Sequence, residues 1–337
     1  MEFPHLPGIP DLVTRHFDPA ADYPAVVDFL VAVNTHDVLE SIPTIASLRI
    51  EWESMAMDPA TDVLVAEVDG EMVGLAHHDW RQRGARIFHH MNVAVGPAFR
   101  HRGLGRALVD WTEAAVAASL AGGDHPAATT LPHILSAWAA PSTPGVDALA
   151  ARMGYAIESY GMMMVRALAD PIPDLALPDG LEVRPVRPED HRRIWDADTE
   201  AFRDHRNPAE RTDADFVAAF ADPDTDTSLW QVAWDGDEVA GSVMNTIYPE
   251  ENAQFGVRRV WLDHITVRRP WRRRGLASAL ISRSLRTLQQ MGLEQAALGA
   301  DTENLSGAVK LYESLGFRQH HVHANYVKPI EVPGTKP

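Results

Sequence analysis

The stretch Trp261–Met291, WLDHITVRRPWRRRGLASALISRSLRTLQQM, carries two hydrophobic periods in succession. Leu262, His264 and Thr266 alternate with Asp263, Ile265 and Val267, the period of two that marks a strand. Pro270 has no N–H to give a ladder and ends it. Beyond Arg272-Arg273-Arg274-Gly275-Leu276-Ala277 the period changes. Leu276, Leu280, Ser284, Leu285, Leu288 and Met291 recur every three or four residues, which is one face of a helix, and Gly292 marks its stop. A strand, a basic glycine turn and a helix make an anion cradle. The first amides of a helix have no partner within it, and its dipole adds partial positive charge there. Gly275 and Ala277 let a ligand approach the backbone, and Arg269, Arg272, Arg273 and Arg274 surround the turn with positive charge. The matching guest is a pyrophosphate.

The same landmarks occur twice. Asp69-Gly70 and Asp235-Gly236 sit in the turns of two hairpins, whose later glycines, Gly74 and Gly241, lie 167 positions apart. Met91–Gly105 is again a strand, a proline and Arg100-x-x-Gly103-x-Gly105. A helix follows with Leu104, Leu108, Trp111 and Ala115 on one face, and Gly103 and Gly275 are 172 apart. Met153-Gly154-Tyr155 matches Leu315-Gly316-Phe317 at an offset of 162. Order and spacing together predict a duplicated domain: residues 1–168, a proline-rich linker at 169–180, and residues 181–330. Segments 118–130 and 248–257 read as loops. Each copy reads as a mixed, mostly antiparallel sheet flanked by helices, an α/β (α+β) class.

Arg272-x-x-Gly275-x-Ala277 after a strand ending Ile265-Thr266-Val267 resembles the acyl-CoA signature of the GNAT N-acetyltransferase superfamily, and the resemblance covers nearly the whole chain as two tandem copies. It implies acetyl-CoA as co-substrate, with Thr266, Val267, Arg268 and Arg269 running beside its pantetheine arm and the turn through Leu276, Ala277 and Ser278 receiving its phosphates. It also implies that the fourth and fifth strands of each copy splay apart. Asn304-x(7)-Tyr312-x(3)-Gly316-Phe317 resembles a further family segment, in which the asparagine contacts the pantetheine arm and the tyrosine faces the thioester sulfur.

Acetyl transfer to an amine needs a neutral nitrogen, donors for a developing oxyanion and help for the leaving thiolate. Tyr312 is the candidate acid, since a phenol near pKa ~10 is protonated at neutral pH. A tyrosine packed between helix and sheet is the alternative. Asp263 is the candidate base or relay, given burial or a water chain; His264 is the other, on the opposite face unless a bulge intervenes. A backbone amide near Val267 is the expected carbonyl donor. In the first copy the positions of Tyr312 and Asp263 fall on Ala150 and Met91, which move no proton, while Arg100, Gly103 and Gly105 remain. That copy is expected to be catalytically silent, as in similar tandem enzymes.

Composition narrows the rest. A chain of 337 residues with 45% hydrophobic residues is an ordinary globular protein of about two domains. The absence of cysteine excludes disulfides, thiolate metal sites and a cysteine acyl-enzyme, which favours direct attack in a ternary complex. A net charge of −17 argues against nucleic acid. MEFPHLPGIPDL does not read as a signal peptide and no apolar run reaches ~18 residues, so a cytoplasmic protein without a membrane span is expected. His77-His78, His89-His90 and His320, His321, His323 lack a matching carboxylate pattern and read as structural, with no metal expected. The acceptor is expected to be an amine of a small molecule or peptide, or a thiol-bearing small-molecule precursor. Glu250, Glu251, Asp204 and Asp215 hint that it is cationic. A non-catalytic acyl-CoA sensor is the competing class, and a monomer or homodimer the expected state.

Overall fold

A computed structural model describes residues 8–39, 43–122, 131–140, 143, 145–204, 208, 211–301 and 307–330. The elements run β1 (Leu12–His16), α1 (Tyr23–Asp37), α2 (Ile45–Ser54), α3 (Pro59–Asp62), β2 (Val63–Val68), β3 (Glu71–Arg83), β4 (Arg86–Val95), α4 (Leu104–Gly122), β5 (His133–Ala139), α5 (Val146–Arg152) and β6 (Ala156–Ala167). Then come β7 (Glu182–Arg184), α6 (His191–Phe202), α7 (Asp213–Ala221), β8 (Gln231–Asp235), β9 (Glu238–Thr246), α8 (Pro249–Phe255), β10 (Arg259–Val267), α9 (Leu276–Gln290), β11 (Gln295–Asp301), α10 (Ala308–Ser314) and β12 (Arg318–Ile330). The second series repeats the first, apart from the extra helices α3 and α8. Among the described residues no helix is long and apolar enough to cross a membrane.

The chain forms two compact units. One holds residues up to Ser159 together with the chain from His323; the other is Tyr160–Val322. The cut in space therefore differs from the cut in sequence at 169–180. In the first unit β12 pairs antiparallel with β5, from Ala324↔Ala139 to Ile330↔His133. In the second, β6 pairs antiparallel with β11, from Gly161↔Asp301 to Ala167↔Gln295. Each unit thus takes its last strand from the other copy. Side chains fix the choice. Lys328 Nζ donates to Glu113 of α4 at 2.7 Å, and Tyr155 Oη reaches the same carboxylate at 2.8 Å. Met162, Met164 and Leu168 enter the second core with Leu280, Leu285 and Phe317. The stretch 171–178 has no regular element, and Ile172 and Leu177 pack on that core.

In the first unit β2 and β3 meet at Asp69 (φ 54°) and Gly70 (φ 80°), the left-handed pair that a two-residue hairpin turn demands. Leu104, Leu108, Trp111 and Ala115 are all buried against β2 and β3, as their spacing requires. In the second unit Leu276, Leu280, Ser284, Leu285 and Leu288 are buried, but Met291 lies past the last turn of α9 and is 54% exposed. Two expected loops are partly helical. Residues 118–122 complete α4, with 123–130 outside the described residues. Residues 249–255 form α8, with Pro249 in its first turn, acids behind it and Gly256 (φ 61°) closing it.

Candidate active site

The strand β10 opens a gap. It pairs in parallel with β11 only at Arg259↔Gln295, Val260↔Ala296 and Trp261↔Ala297, then runs on to Val267 without that neighbour. On its other edge it stays paired to β9 down to Val267↔Gly241. Arg268 N donates to Ala240 O at 3.0 Å, so alternation turns the N–H groups of Ile265 and Val267 away from β9. Those amides face the side that β11 has left. The first unit has the same opening: β4 and β5 pair from Ile87↔His133 to His90↔Ser136 and no further.

The turn after β10 is built by two left-handed residues, Arg273 (φ 60°) and Gly275 (φ 83°). A Cβ added at Gly275 would meet nothing within 4 Å. No side chain caps α9, so the amides of Leu276, Ala277 and Ser278 point outward without a side-chain acceptor. The arginines are less available than their sequence suggests. Arg272 Nε donates to Val267 O at 2.8 Å and its Nη1 to Asp204 Oδ2 at 2.6 Å; Arg269 Nε reaches the same carboxylate at 2.9 Å. These two guanidinium groups hold the Asp204 carboxyl well below the usual range. Arg268 is bound to Glu200 at 2.8 Å and lies over the Trp271 ring; Arg274 donates to Asp179 O at 3.2 Å. Arg100 repeats the pattern in the first unit, donating to Val95 O at 3.1 Å and to Asp37 at 2.6 and 2.8 Å. The leading arginine of each turn thus ties the strand end to the end of the unit's first helix, while backbone amides face outward. His101 (φ 59°) and Gly103 (φ 92°) match Arg273 and Gly275, and Gly105 abuts Val95 and Leu149.

Tyr312 sits in α10, 8% exposed, with its ring edge-on to Phe317 at 6.2 Å. Its hydroxyl has no hydrogen-bond partner among the described residues, and burial pushes it up to about 12. Asn304 lies outside the described residues.

A bulge separates the two candidate bases. Leu262 pairs with Asn245 and His264 with Met244, so Asp263 is the extra residue. The equivalent stretch of the first unit pairs without interruption: His77↔Asn92, then His78↔Met91. Register therefore aligns Met91 with Leu262, not with Asp263, which has no counterpart, and Asn92 with His264. Asp263 accepts from Tyr248 Oη at 3.2 Å. Desolvation pushes its carboxyl up against the pull of Thr246, His264 and Tyr248, bounded by the residue's open side to water. His264 lies on the α6 face, away from Ile265 and Val267, which touch the α9 core. Its Nδ1 is 2.8 Å from Asp198 Oδ2, and Asp198 is 2% exposed. Arg211 Nη1 also reaches Asp198, at 2.6 Å, and its guanidinium lies 4.5 Å over the Trp195 ring. Burial pushes the Asp198 carboxyl up, but His264 and Arg211 together outweigh it and its pKa is lowered. Neither Asp198 nor Arg211 falls in a motif, so residue order alone does not single them out.

The acids read as a hint of a cationic acceptor are mostly engaged elsewhere. Asp204 holds the two arginines, Asp215 accepts from Thr212 N at 2.7 Å, and Glu251 accepts from Trp261 Nε1 at 2.9 Å.

Residues 191–317 match the family described as acetyltransferase (GNAT) family, and residues 59–155 match an acetyltransferase (GNAT) domain. A mycothiol acetyltransferase of Geodermatophilus obscurus is 31% identical over 313 residues, covering 92% of this chain and 94% of that protein. That of Salinispora tropica is 31% identical over 271 residues, covering 80% and 81%. Among solved structures, a GCN5-related N-acetyltransferase from Sphaerobacter thermophilus matches with a TM-score of 0.74 at 25% identity over 98% of each chain. A tandem GNAT protein from the clavulanic acid biosynthesis pathway shares the fold, with a TM-score of 0.63 at 17% identity over 94% of this chain and 98% of that one. With one GNAT domain matched in each half and full-length relatives above 30% identity, this chain belongs to the GNAT family and is a tandem-domain N-acetyltransferase.

Proposed function

We propose that the second unit moves an acetyl group from acetyl-CoA to an amine of a small molecule or peptide by direct attack in a ternary complex, and that the first unit is catalytically silent. The observation that supports this reading is the gap between β10 and β11, which leaves strand amides of β10 unpaired beside a turn that leads to the uncapped start of α9; the same unit offers a buried Tyr312. The amides of Leu276 to Ser278 and the left-handed turn would receive the diphosphate, with open space at Gly275 for its approach. The Val267 amide would donate to the acetyl oxygen as it gains charge.

The amine nitrogen attacks the acetyl carbon and the carbon–sulfur bond breaks. An alkylammonium near pKa ~10.4 costs roughly 4–5 kcal/mol to deprotonate at pH 7, so a base is required. His264, fixed by Asp198, takes that proton. A second reading gives the role to Asp263, whose carboxyl is raised by desolvation and is thereby a better base than an ordinary aspartate. Tyr312, at about 12, stays protonated throughout. Full transfer to a thiolate of pKa about 8.5 is uphill by three to four units, so its main service is a hydrogen bond to the departing sulfur. The first unit carries Ala150 and Asn92 at the Tyr312 and His264 positions and lacks the bulge, which supports its silence.

Turnover followed by loss of thioester absorbance over a panel of amines tests this. Tyr312→Phe should lower kcat about a hundredfold with little change in the KM for acetyl-CoA. Gly275→Glu should abolish turnover and Gly103→Glu should spare it. Undiminished kcat in Tyr312→Phe, or equal loss in the two folded glycine variants, contradicts the assignment. The name of the relatives adds a narrower reading, in which the acceptor is a thiol-bearing precursor of the mycothiol type.

A further inference from the structure

Two features set the second unit apart from the first, and they meet in one hydrogen bond. In the first unit β3 turns directly into β4, with Arg83 opposite Arg86. In the second, residues 247–258 intervene between β9 and β10 and carry α8. Tyr248 stands immediately before that helix. The other feature is the bulge that makes Asp263 an extra residue of β10. Tyr248 Oη donates to Asp263 Oδ2 at 3.2 Å. By register Thr246 matches Asp79, so Tyr248 falls on Arg81 and Asp263 on nothing, and the first unit has neither partner of this bond.

Asp263 follows Trp261↔Ala297, the last pair that joins β10 to β11, by two residues, so it stands where the gap opens, next to His264. Desolvation pushes its carboxyl up; Thr246 of β9, His264 and Tyr248 pull it down, and Asp222 at the end of α7 adds to the rise. Thr246 also acts on the Tyr248 hydroxyl, so three side-chain oxygen groups converge here. Burial and the Asp263 charge push that hydroxyl up, so it stays protonated and able to donate at neutral pH. We infer that Tyr248 is a positioning residue of the second unit, which holds the Asp263 carboxylate in its bulge beside His264 and toward the acceptor nitrogen. As the nitrogen lone pair forms its bond to the acetyl carbon, the nitrogen becomes cationic until His264 takes its proton. An ionised Asp263 stabilises that charge and a protonated one does not. The phenol's hydrogen bond favours the ionised form against desolvation.

This rests on the second unit's being the acetylating one and adds a residue to its acceptor side. Tyr248→Phe removes a single oxygen. The pH profile of kcat/KM for an amine acceptor is compared among the parent, Tyr248→Phe, Asp263→Asn and the double variant, with folding checked by melting and by acetyl-CoA uptake. In Tyr248→Phe the acid limb should move to higher pH by about half a pH unit or more. In the Asp263→Asn background the same change should do nothing further. An acid limb that stays in place, a loss uniform across pH, or an effect undiminished in the Asp263→Asn background overturns the proposal. A second measurement needs no turnover. The carbon-13 carboxyl resonance that Asp263→Asn deletes should titrate at higher pH in Tyr248→Phe than in the parent, and an unchanged titration also overturns the proposal. A displaced titration in protein that acetylates no amine supports the hold of Tyr248 on Asp263 and overturns instead the reading of the second unit.

Discussion

Asp79 offers the sharpest test of the electrostatics. It lies on β3 of the first unit, directly opposite His90 on β4, and is 3% exposed. Its carboxyl has no hydrogen-bond partner among the described residues. Burial pushes it from 3.8 up to about 6, although Arg81 and Arg83 pull the other way and Glu51 adds to the rise. The native state therefore holds this proton more tightly than the unfolded chain. Its contribution is fully present below pH 3.8 and is lost as pH rises through about 6. A shift of about two units at 1.36 kcal/mol each makes the ionised carboxylate cost about 3 kcal/mol at pH 7.5. Asp79→Asn keeps the shape and removes the titration. Any fixed cost of the new amide is the same at every pH, so the informative quantity is the change in the variant-minus-parent difference. Between pH 4 and pH 7.5 that difference should move in the variant's favour by about 2–3 kcal/mol, read by calorimetry as roughly 5–10 °C in the melting of the first unit. A difference that stays flat across that range would show that the carboxyl is solvated, and the reasoning would fail. Acetyl transfer should be retained, since the residue lies in the unit proposed to be silent.

Other perturbations follow from the same contacts. Gly241→Ala places a Cβ 2.6 Å from Thr266 O, so β9 and β10 must part; Gly74→Ala in the first unit meets only leucine and alanine side chains at 3.1–3.3 Å. Chemical denaturation should show the former costing about 2 kcal/mol or more and the latter less; equal losses would refute the contrast. Glu113→Gln strips Lys328 and weakens the bond from Tyr155, so the first unit should lose about 1–2 kcal/mol, and unchanged stability would mean β12 is held by its ladder alone. Asp198→Asn leaves Arg211 and His264 without their buried partner and should cost about 3 kcal/mol at pH 7. Because the Asp198 carboxyl is depressed, that loss should shrink as pH falls through the acid range; a pH-independent loss would contradict the pairing.

Much of this architecture was legible from residue order. Two periods meeting at Gly275 located the turn, and three landmarks at similar offsets revealed the duplication. The splay of β10 from β11 was implied by family resemblance and is seen in the pairing. What stayed hidden has physical reasons. A bulge moves register by one residue, and Asp263-His264 is polar at both positions, so alternation reads equally well with or without it. The exchange of last strands was invisible because an apolar run such as Met162–Val165 suits either sheet, and only tertiary pairing decides. Asp204, 65 positions from Arg269, changed the meaning of the arginine cluster, and nothing local announces such a partner. By contrast α8 was readable in principle, since Pro249, the acids behind it and Gly256 are start and stop signals.

The two units make a comparison within one molecule. They share the splayed strands, the left-handed turn and the arginine that ties it to an acid at the end of the first helix. A feature kept by both need not be catalytic; it is what shapes the turn. They differ at the positions proposed for proton handling: an extra aspartate in a bulge, a histidine fixed by a buried aspartate, and a tyrosine, against none, Asn92 and Ala150. On the proposed assignment, the shape of the turn and the groups that move protons are separable parts of this fold. The difference lies along one strand and two helices, so giving the first unit the chemistry proposed for the second would take more than side-chain replacement. Asn92→His with Ala150→Tyr leaves β4 in unbroken register. It also brings no partner for the new imidazole: Asp198 stands six residues before the acid Asp204, and the first helix has Val31 six residues before Asp37. The double variant is therefore expected to stay inactive.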